Sequence, residues 1–148
     1  MSADTPATPE NFNYVCICFI VDDVVKSAEF YRDVLGFTFT DFWGEPPCFT
    51  ILVRDGIQFF LSSDGGPGGM RPNRLARPGF TWDAYINCND VDMLYAEFQS
   101  KGAKITHERE VAFYGMKEFE IEDCNGYRIC FGEEVPEPGA SDAGSKPN

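Results

Sequence analysis

Asp83, Glu118, Glu120 and Glu122 alternate with apolar or aromatic residues in strand-like runs, and the thiols of Cys16, Cys18 and Cys130 stand in similar runs. Side chains of these types gathered on one side could ligate a metal, move a proton or pair with a cationic ligand. A metal needs several N, O or S donors converging on one point. No Cys-x-x-Cys pair exists among cysteines 16, 18, 48, 88, 124 and 130, which argues against a zinc ribbon. The one histidine, His107, is a candidate general base, a role that the imidazole side chain commonly takes. It lies in the polar run Lys104-Ile105-Thr106-His107-Glu108-Arg109-Glu110, which reads as exposed surface. Aromatic plates beside carboxylates suit a flat cation, through stacking and cation–π contact. Trp43 and Phe49 flank the Pro46-Pro47 turn, and Phe113 and Tyr114 stand just before Gly115.

The elements that must position these groups form an internal repeat. The first half carries Asp23-Val24, Tyr31, Leu35 and Gly36-Phe37, and closes on Asp55-Gly56-Ile57-Gln58-Phe59-Phe60-Leu61. The second carries Asp90-Val91, Phe98, Lys101 and Gly102-Ala103, and closes on Asn125-Gly126-Tyr127-Arg128-Ile129-Cys130-Phe131. Each half reads as strand, helix, then three strands. The fold class is therefore α+β: two tandem βαβββ modules forming a curved mixed sheet around a shared cup. Module one spans 13–62 and module two 80–133, after a Pro/Thr/Asp-rich segment at 1–12 expected to be mobile and before a disordered tail at 134–148.

In module one, strands are expected at 14–21, 37–43, 48–53 and 57–62. A helix runs from Asp23 to Leu35, capped by Asp22 or Asp23 and ended by Gly36. In module two, strands are expected near 80–88, 103–111, 117–122 and 127–133, with a helix after Asp90. Residues 63–79 form a Gly/Pro/Arg linker. Its Arg71, Arg74 and Arg77 could make an anion-binding loop or a solvated connection.

Successive strand residues face opposite sides, which assigns a lining to the cup. Val15, Ile17, Phe19 and Val21 should pack under the helix, leaving Tyr14, Cys16, Cys18 and Ile20 on the open side. By the same parity Trp82, Ala84, Ile86 and Cys88 face the helix, and Thr81, Asp83, Tyr85 and Asn87 the opening. Gln58, Phe60, Arg128 and Cys130 join the lining from the closing strands. Placing Phe119 and Ile121 toward the helix puts Glu118, Glu120 and Glu122 on the open side. Those groups form either a ligand site or a subunit interface with a solvated sheet edge.

Bulk properties narrow the partners. The net charge of −12 opposes nucleic acid, whose phosphates want a basic stripe. The chain ends hold only Asp4, Glu10, Glu134, Glu137 and Asp142 against Lys146, so most of the acidity belongs to the body. It fits a cationic ligand, or serves solubility alone. The start Met-Ser-Ala-Asp-Thr-Pro has no secretory signal pattern, and the apolar run Tyr14 to Val21 is too short to span a membrane. The expectation is a cytoplasmic protein with reduced thiols, no membrane contact and no nucleic-acid partner.

The chain resembles the vicinal oxygen chelate superfamily of glyoxalases, extradiol dioxygenases and fosfomycin- and bleomycin-resistance proteins. The resemblance covers about residues 13–134. It rests on Val21-Asp22-Asp23-Val24 and on the stretch from Ser27 to Phe37 (Ser-Ala-Glu-Phe-Tyr-Arg-Asp-Val-Leu-Gly-Phe). It also rests on Asn89-Asp90-Val91-Asp92 with Leu94-Tyr95-Ala96-Glu97-Phe98, and on the segment Tyr114 to Tyr127. Within the superfamily the bleomycin-resistance branch is most similar. That resemblance implies metal-free sequestration of a cationic small molecule, no cofactor, and a homodimer with ligand grooves between subunits. Metal-dependent members take one ligand from each of four strands, and the pattern falls here on Cys16, Phe60, Asp83 and Cys130. The metal constellation is thus expected to be dismantled, with an unusual Cys16–Asp83–Cys130 site as the alternative. A glyoxalase- or dioxygenase-type lyase or isomerase with a degenerate metal site is the enzymatic alternative to a binding protein. The expected ligand-binding set is Tyr14, Cys16, Cys18, Trp43, Phe49, Gln58, Phe60, Asp83, Tyr85, Asn87, Phe113, Tyr114, Glu118, Glu120, Arg128 and Cys130.

Overall fold

The computed structural model describes residues 11, 13–63, 70, 72–76, 79 and 82–136. Module one consists of β1 (Cys16–Ile20), α1 (Val24–Asp33), β2 (Phe42–Trp43), β3 (Phe49–Arg54) and β4 (Ile57–Ser62). A short helix α2 (Asn73–Ala76) follows within the stretch expected to be a Gly/Pro/Arg linker. Module two consists of β5 (Ala84–Asn87), α3 (Val91–Ser100), β6 (Lys104–Val111), β7 (Met116–Glu122) and β8 (Arg128–Glu134). Each module holds its own four-stranded mixed sheet, in the order β1-β4-β3-β2 and β5-β8-β7-β6. In both, the first strand runs parallel to the last and the remaining pairs are antiparallel.

Local chemistry explains the repeat. The Asp23 carboxylate accepts from the Lys26 amide at 3.0 Å, and the Asp90 carboxylate from the Met93 amide at 3.0 Å, so each helix starts at a capping aspartate. Val24, Ala28 and Tyr31 on α1, and Val91, Tyr95 and Phe98 on α3, are buried at helical spacing. Gly36, at φ +77°, ends the first helical segment in a conformation that side chains disfavour. Between β3 and β4, Asp55 and Gly56 both take positive φ, as a tight twisted hairpin requires.

Several boundaries differ from expectation. The strand expected at 37–43 is reduced to Phe42–Trp43 plus a single bridge from Thr38 to Val53. The Thr50 hydroxyl donates to the Asp41 carbonyl at 2.7 Å, so a side chain takes an acceptor that a longer strand would give to the backbone. β8 continues through Glu134, and the Val135 amide donates to the Gly115 carbonyl, so the expected tail is anchored at its start. The rest of that tail lies outside the described residues, as do 1–10, 12, 64–69, Arg71, Arg77 and Thr81. Val15 is 84 % exposed although it shares parity with Phe19, because β1 begins only at Cys16.

One core runs through both modules on their helix sides. The Phe19 and Tyr127 rings stack at 4.1 Å, and the Tyr127 hydroxyl donates to the Ile20 carbonyl at 2.7 Å. The buried Tyr31 hydroxyl donates to Asp123 at 2.7 Å, and Asn125 reaches Ser27 at 3.0 Å. On the other flank Arg54 bonds both carboxylate oxygens of Glu97 at 2.9 and 3.0 Å. Among the described residues no helix is long and apolar enough to cross a membrane.

Candidate functional site

Helices cover one side of each sheet, and the opposite faces carry the chemistry. In module one, pairing places Cys16, Cys18 and Ile20 beside Gln58, Phe60 and Ser62, with Ile51 and Phe49 next across the sheet. The Phe49 ring lies 5.4 Å from Phe60 and 5.8 Å from Trp43, forming a three-ring row. Trp43 is 47 % exposed at the sheet edge. Gln58 and Ser62 add polar groups to this face, and the Cys16 thiol donates to the Gln58 side-chain carbonyl oxygen at 3.3 Å. Tyr14 stands exposed just before β1.

The face of module two is acidic and roofed by tyrosines. Glu118 and Glu120 project opposite to the fully buried Phe119 and Ile121, yet are themselves only 7 % and 5 % exposed. The reading of a solvated glutamate edge is therefore corrected: hydroxyls cover these carboxylates. Tyr85 donates to Glu118 at 2.7 Å, and Tyr114 bridges both of its oxygens at 2.8 and 2.9 Å. The Thr106 hydroxyl donates to Glu120 at 2.8 Å, and the Arg128 guanidinium lies 3.8 Å away. Burial, then donation to Glu118, raises the Tyr85 phenol and pushes Tyr114 up to about 12, so both stay protonated donors at neutral pH. Burial, with Glu118 and Glu120 adding to it, raises the Cys130 thiol, which stays neutral. Burial works against ionised Glu122, but Lys104 and Arg128 outweigh it and hold that carboxyl below its ordinary range.

Asp83 has a structural task. One oxygen accepts from the Asn73 amide at 2.7 Å and the other from the Arg128 amide at 2.8 Å. The carboxylate thus ties α2 to the start of β8. Asn87 sits exposed at the end of β5. Phe113 is fully exposed, with its ring 5.0 Å from that of Tyr114. His107 is exposed, lies 3.0 Å from Glu110, and pairs in register with Glu120 across β6 and β7. Arg74, in the linker, reaches the Gly126 carbonyl at 3.4 Å.

The structure thus gathers Cys16, Cys18, Gln58, Phe60, Phe49 and Trp43 on one sheet. It gathers Asp83, Tyr85, Arg128, Cys130, Glu118 and Glu120 on the other, with Tyr114 over them. Among the described residues no three His, Cys, Asp or Glu form a metal-holding group, so one chain does not bring Cys16 to Asp83 and Cys130. The residues present do not fit a metal: Phe60 has no donor, both Asp83 oxygens are engaged, and Cys130 resists becoming the thiolate that a metal needs.

Three contributors escaped the sequence. Gly132 lets Tyr85 cross β8, since a Cβ there would stand 2.6 Å from the Tyr85 Cζ and collide with its hydroxyl. A glycine inside a strand pattern was the available signal. Thr106 lies where β6 slips register between Ile105 and His107, so parity could not place it. Trp82, expected on the helix side, precedes the first residue of β5, and its ring lies 4.9 Å from Tyr85.

A tandem pair of βαβββ modules, each with its own mixed sheet and helix, defines the class of fold. The chain belongs to the Glyoxalase/Bleomycin resistance protein/Dioxygenase superfamily, whose model matches residues 12–131. Solved structures agree on the fold. TioX from Micromonospora sp. ML1 superposes with TM-score 0.66 at 16% identity, covering 84% of this chain and 100% of its own. TnmS3, an antibiotic binding protein from Streptomyces sp. CB03234, gives 0.63 at 18% identity, covering 85% of this chain and 99% of its own. A glyoxalase-related enzyme from Clostridium phytofermentans gives 0.67 at 12% identity, covering 87% and 100%. No curated protein matches the sequence.

Proposed function

We propose that the protein is a metal-independent binding protein that sequesters a cationic aromatic small molecule, in the manner of the bleomycin-resistance branch. The Trp43–Phe49–Phe60 row supplies plates for ring stacking, and Glu118 with Glu120 supplies charge for an amine. The faces belong to different sheets, so the groove is completed in a homodimer, where one subunit's aromatic face meets its partner's acidic face. The observation that carries this reading is the pair of near-buried carboxylates on this face, Glu118 under the Tyr85 and Tyr114 hydroxyls and Glu120 under the Thr106 hydroxyl. A charge held at low exposure interacts strongly with an incoming cation and is costly to leave unmatched. That TnmS3, of the same fold, is an antibiotic binding protein supports a small-molecule ligand here.

The test is calorimetric titration of the full chain with metal-free bleomycin and with proflavine, a flat cationic dye. Saturable binding of either is expected. Glu120→Gln and Trp43→Ala should each weaken it about tenfold, on the order of 1.4 kcal/mol, with the folded state checked by circular dichroism. Unchanged affinity in both variants, or no binding of either probe, overturns the reading. Native mass spectrometry should show a homodimer; a strict monomer would contradict the shared groove.

A further inference from the structure

The repeat relates two junctions between the modules, and they are filled differently. The Val21 amide donates to the Ser62 carbonyl at 2.9 Å, and the Cys88 amide to the Gly132 carbonyl at 2.7 Å. Counting back from these matching bonds aligns Phe19 with Ile86, Ile20 with Asn87, and Ile57 with Tyr127. Counting from the capping aspartates aligns Tyr31 with Phe98 and Ser27 with Leu94. At the first junction the Tyr127 ring fills the space between modules, stacked on Phe19 with its hydroxyl on the Ile20 carbonyl. At the second, Ile57 stands where the phenol would be. What remains is a partly open cavity of about 230 Å³, lined by Ile57, Ile86, Leu94, Phe98, Phe37 and Phe131.

We propose that this inter-module cavity is a second binding site, separate from the open sheet faces, that takes a neutral single-ring phenol. The missing group defines the ligand: the twin junction holds a phenol side chain where this one holds space. The size agrees, since an apolar cavity of roughly 150 Å³ admits benzene. The rim is polar at Asn87, Asn89 and Cys88, and Asn87 is the counterpart of the residue whose carbonyl accepts the Tyr127 hydroxyl. Charge is disfavoured. Both charged lining residues are already paired: Arg54 is bound to Glu97 and to the Leu35 carbonyl at 2.7 Å, and Asp55 lies 3.6 Å from the Arg54 guanidinium. Burial pushes the Cys88 thiol up to about 11, so it faces the ligand as a neutral group.

The probe is p-cresol, the tyrosine side chain as a free molecule, titrated into isotope-labelled full-length protein. Saturable amide shifts confined to the cavity lining, at Phe37, 54–57, 86–89, 94–98 and Phe131, are expected, with a rise in Tm. Toluene, which lacks the hydroxyl, should bind at least threefold more weakly. Ile57→Tyr should fill the cavity and cost p-cresol at least tenfold in affinity without loss of stability. Leu94→Trp fills it from α3 and gives the same readout should Ile57→Tyr fail to fold. Absence of localised shifts, or both filled variants binding p-cresol as tightly as the wild type, overturns the proposal. Proflavine titration of the same variants should be unaltered, which separates this site from the groove.

Discussion

Tyr85 shows how far one side chain's function depends on what its neighbour lacks. Its hydroxyl reaches Glu118 only because Gly132 presents no side chain beneath the ring. Gly132→Ala must therefore move the ring or the strand. The expected cost is about 1–3 kcal/mol, the range for overpacking a well-filled site. In a Tyr85→Ala background the same substitution should be close to neutral, so urea unfolding of the four proteins isolates the contact. Equal costs in both backgrounds would show that Gly132 acts through its own backbone. Alkaline titration of tyrosine absorbance is a second readout: Gly132→Ala should return one phenol toward its ordinary range by taking Tyr85 from Glu118. None of this could be read from Gly132 in the sequence beyond a warning that backbone and side chain approach closely there. The partner is 47 positions away and on another strand.

At the scale of elements, much was legible because local and tertiary preferences agreed. Asp23 and Asp90 mark helix starts, Gly36 and Gly102 follow the helices, and alternation along β7 correctly separates Phe119 and Ile121 from the glutamates. Failures came where the chain leaves its regular period. Parity cannot extend past Ala84 to Trp82, nor through the register slips of β6 to Thr106. The turn at Asn125-Gly126 was foreseeable, but its fastening was not: Asp123 accepts from the Asn125 and Tyr127 amides at 2.8 and 2.9 Å while also holding Tyr31. The helix caps give a prediction. Asp90→Ala and Asp23→Ala each remove a bond to an otherwise orphaned amide and should each cost about 0.5–2 kcal/mol. The two losses should add, because the caps share no partner in the structure. Chemical denaturation of the two variants and their double measures this, and a double mutant well short of the sum would mean the helix starts are coupled.

For the whole molecule, which sides of the modules meet was the least legible feature, since it depends on pairings across the repeat. Two carboxylates, Asp123 at the first junction and Glu97 at the second, titrate in opposite senses. The Arg54 guanidinium holds Glu97 below its ordinary range despite partial burial. Burial raises Asp123, although Tyr31 and two backbone amides pull the other way. The signs follow from linkage. Glu97 has a folded value below its unfolded one, so its stabilisation is present above the unfolded value and is lost as pH falls through the folded one. Asp123 has a folded value above its unfolded one, so the folded state holds the extra proton, and its contribution declines as pH rises from the unfolded to the folded value. Urea unfolding from about pH 3 to pH 7 brackets the ordinary carboxylate range. The stability lost in Glu97→Gln should grow with rising pH across this window. The stability of Asp123→Asn relative to wild type should also rise with pH, whatever its offset from altered hydrogen bonds. Wild type thus gains over one variant and loses ground to the other across the same window. If both differences were flat, neither carboxylate would sense its junction. If wild type gained on both, Asp123 would be held by its hydrogen bonds more strongly than burial opposes it.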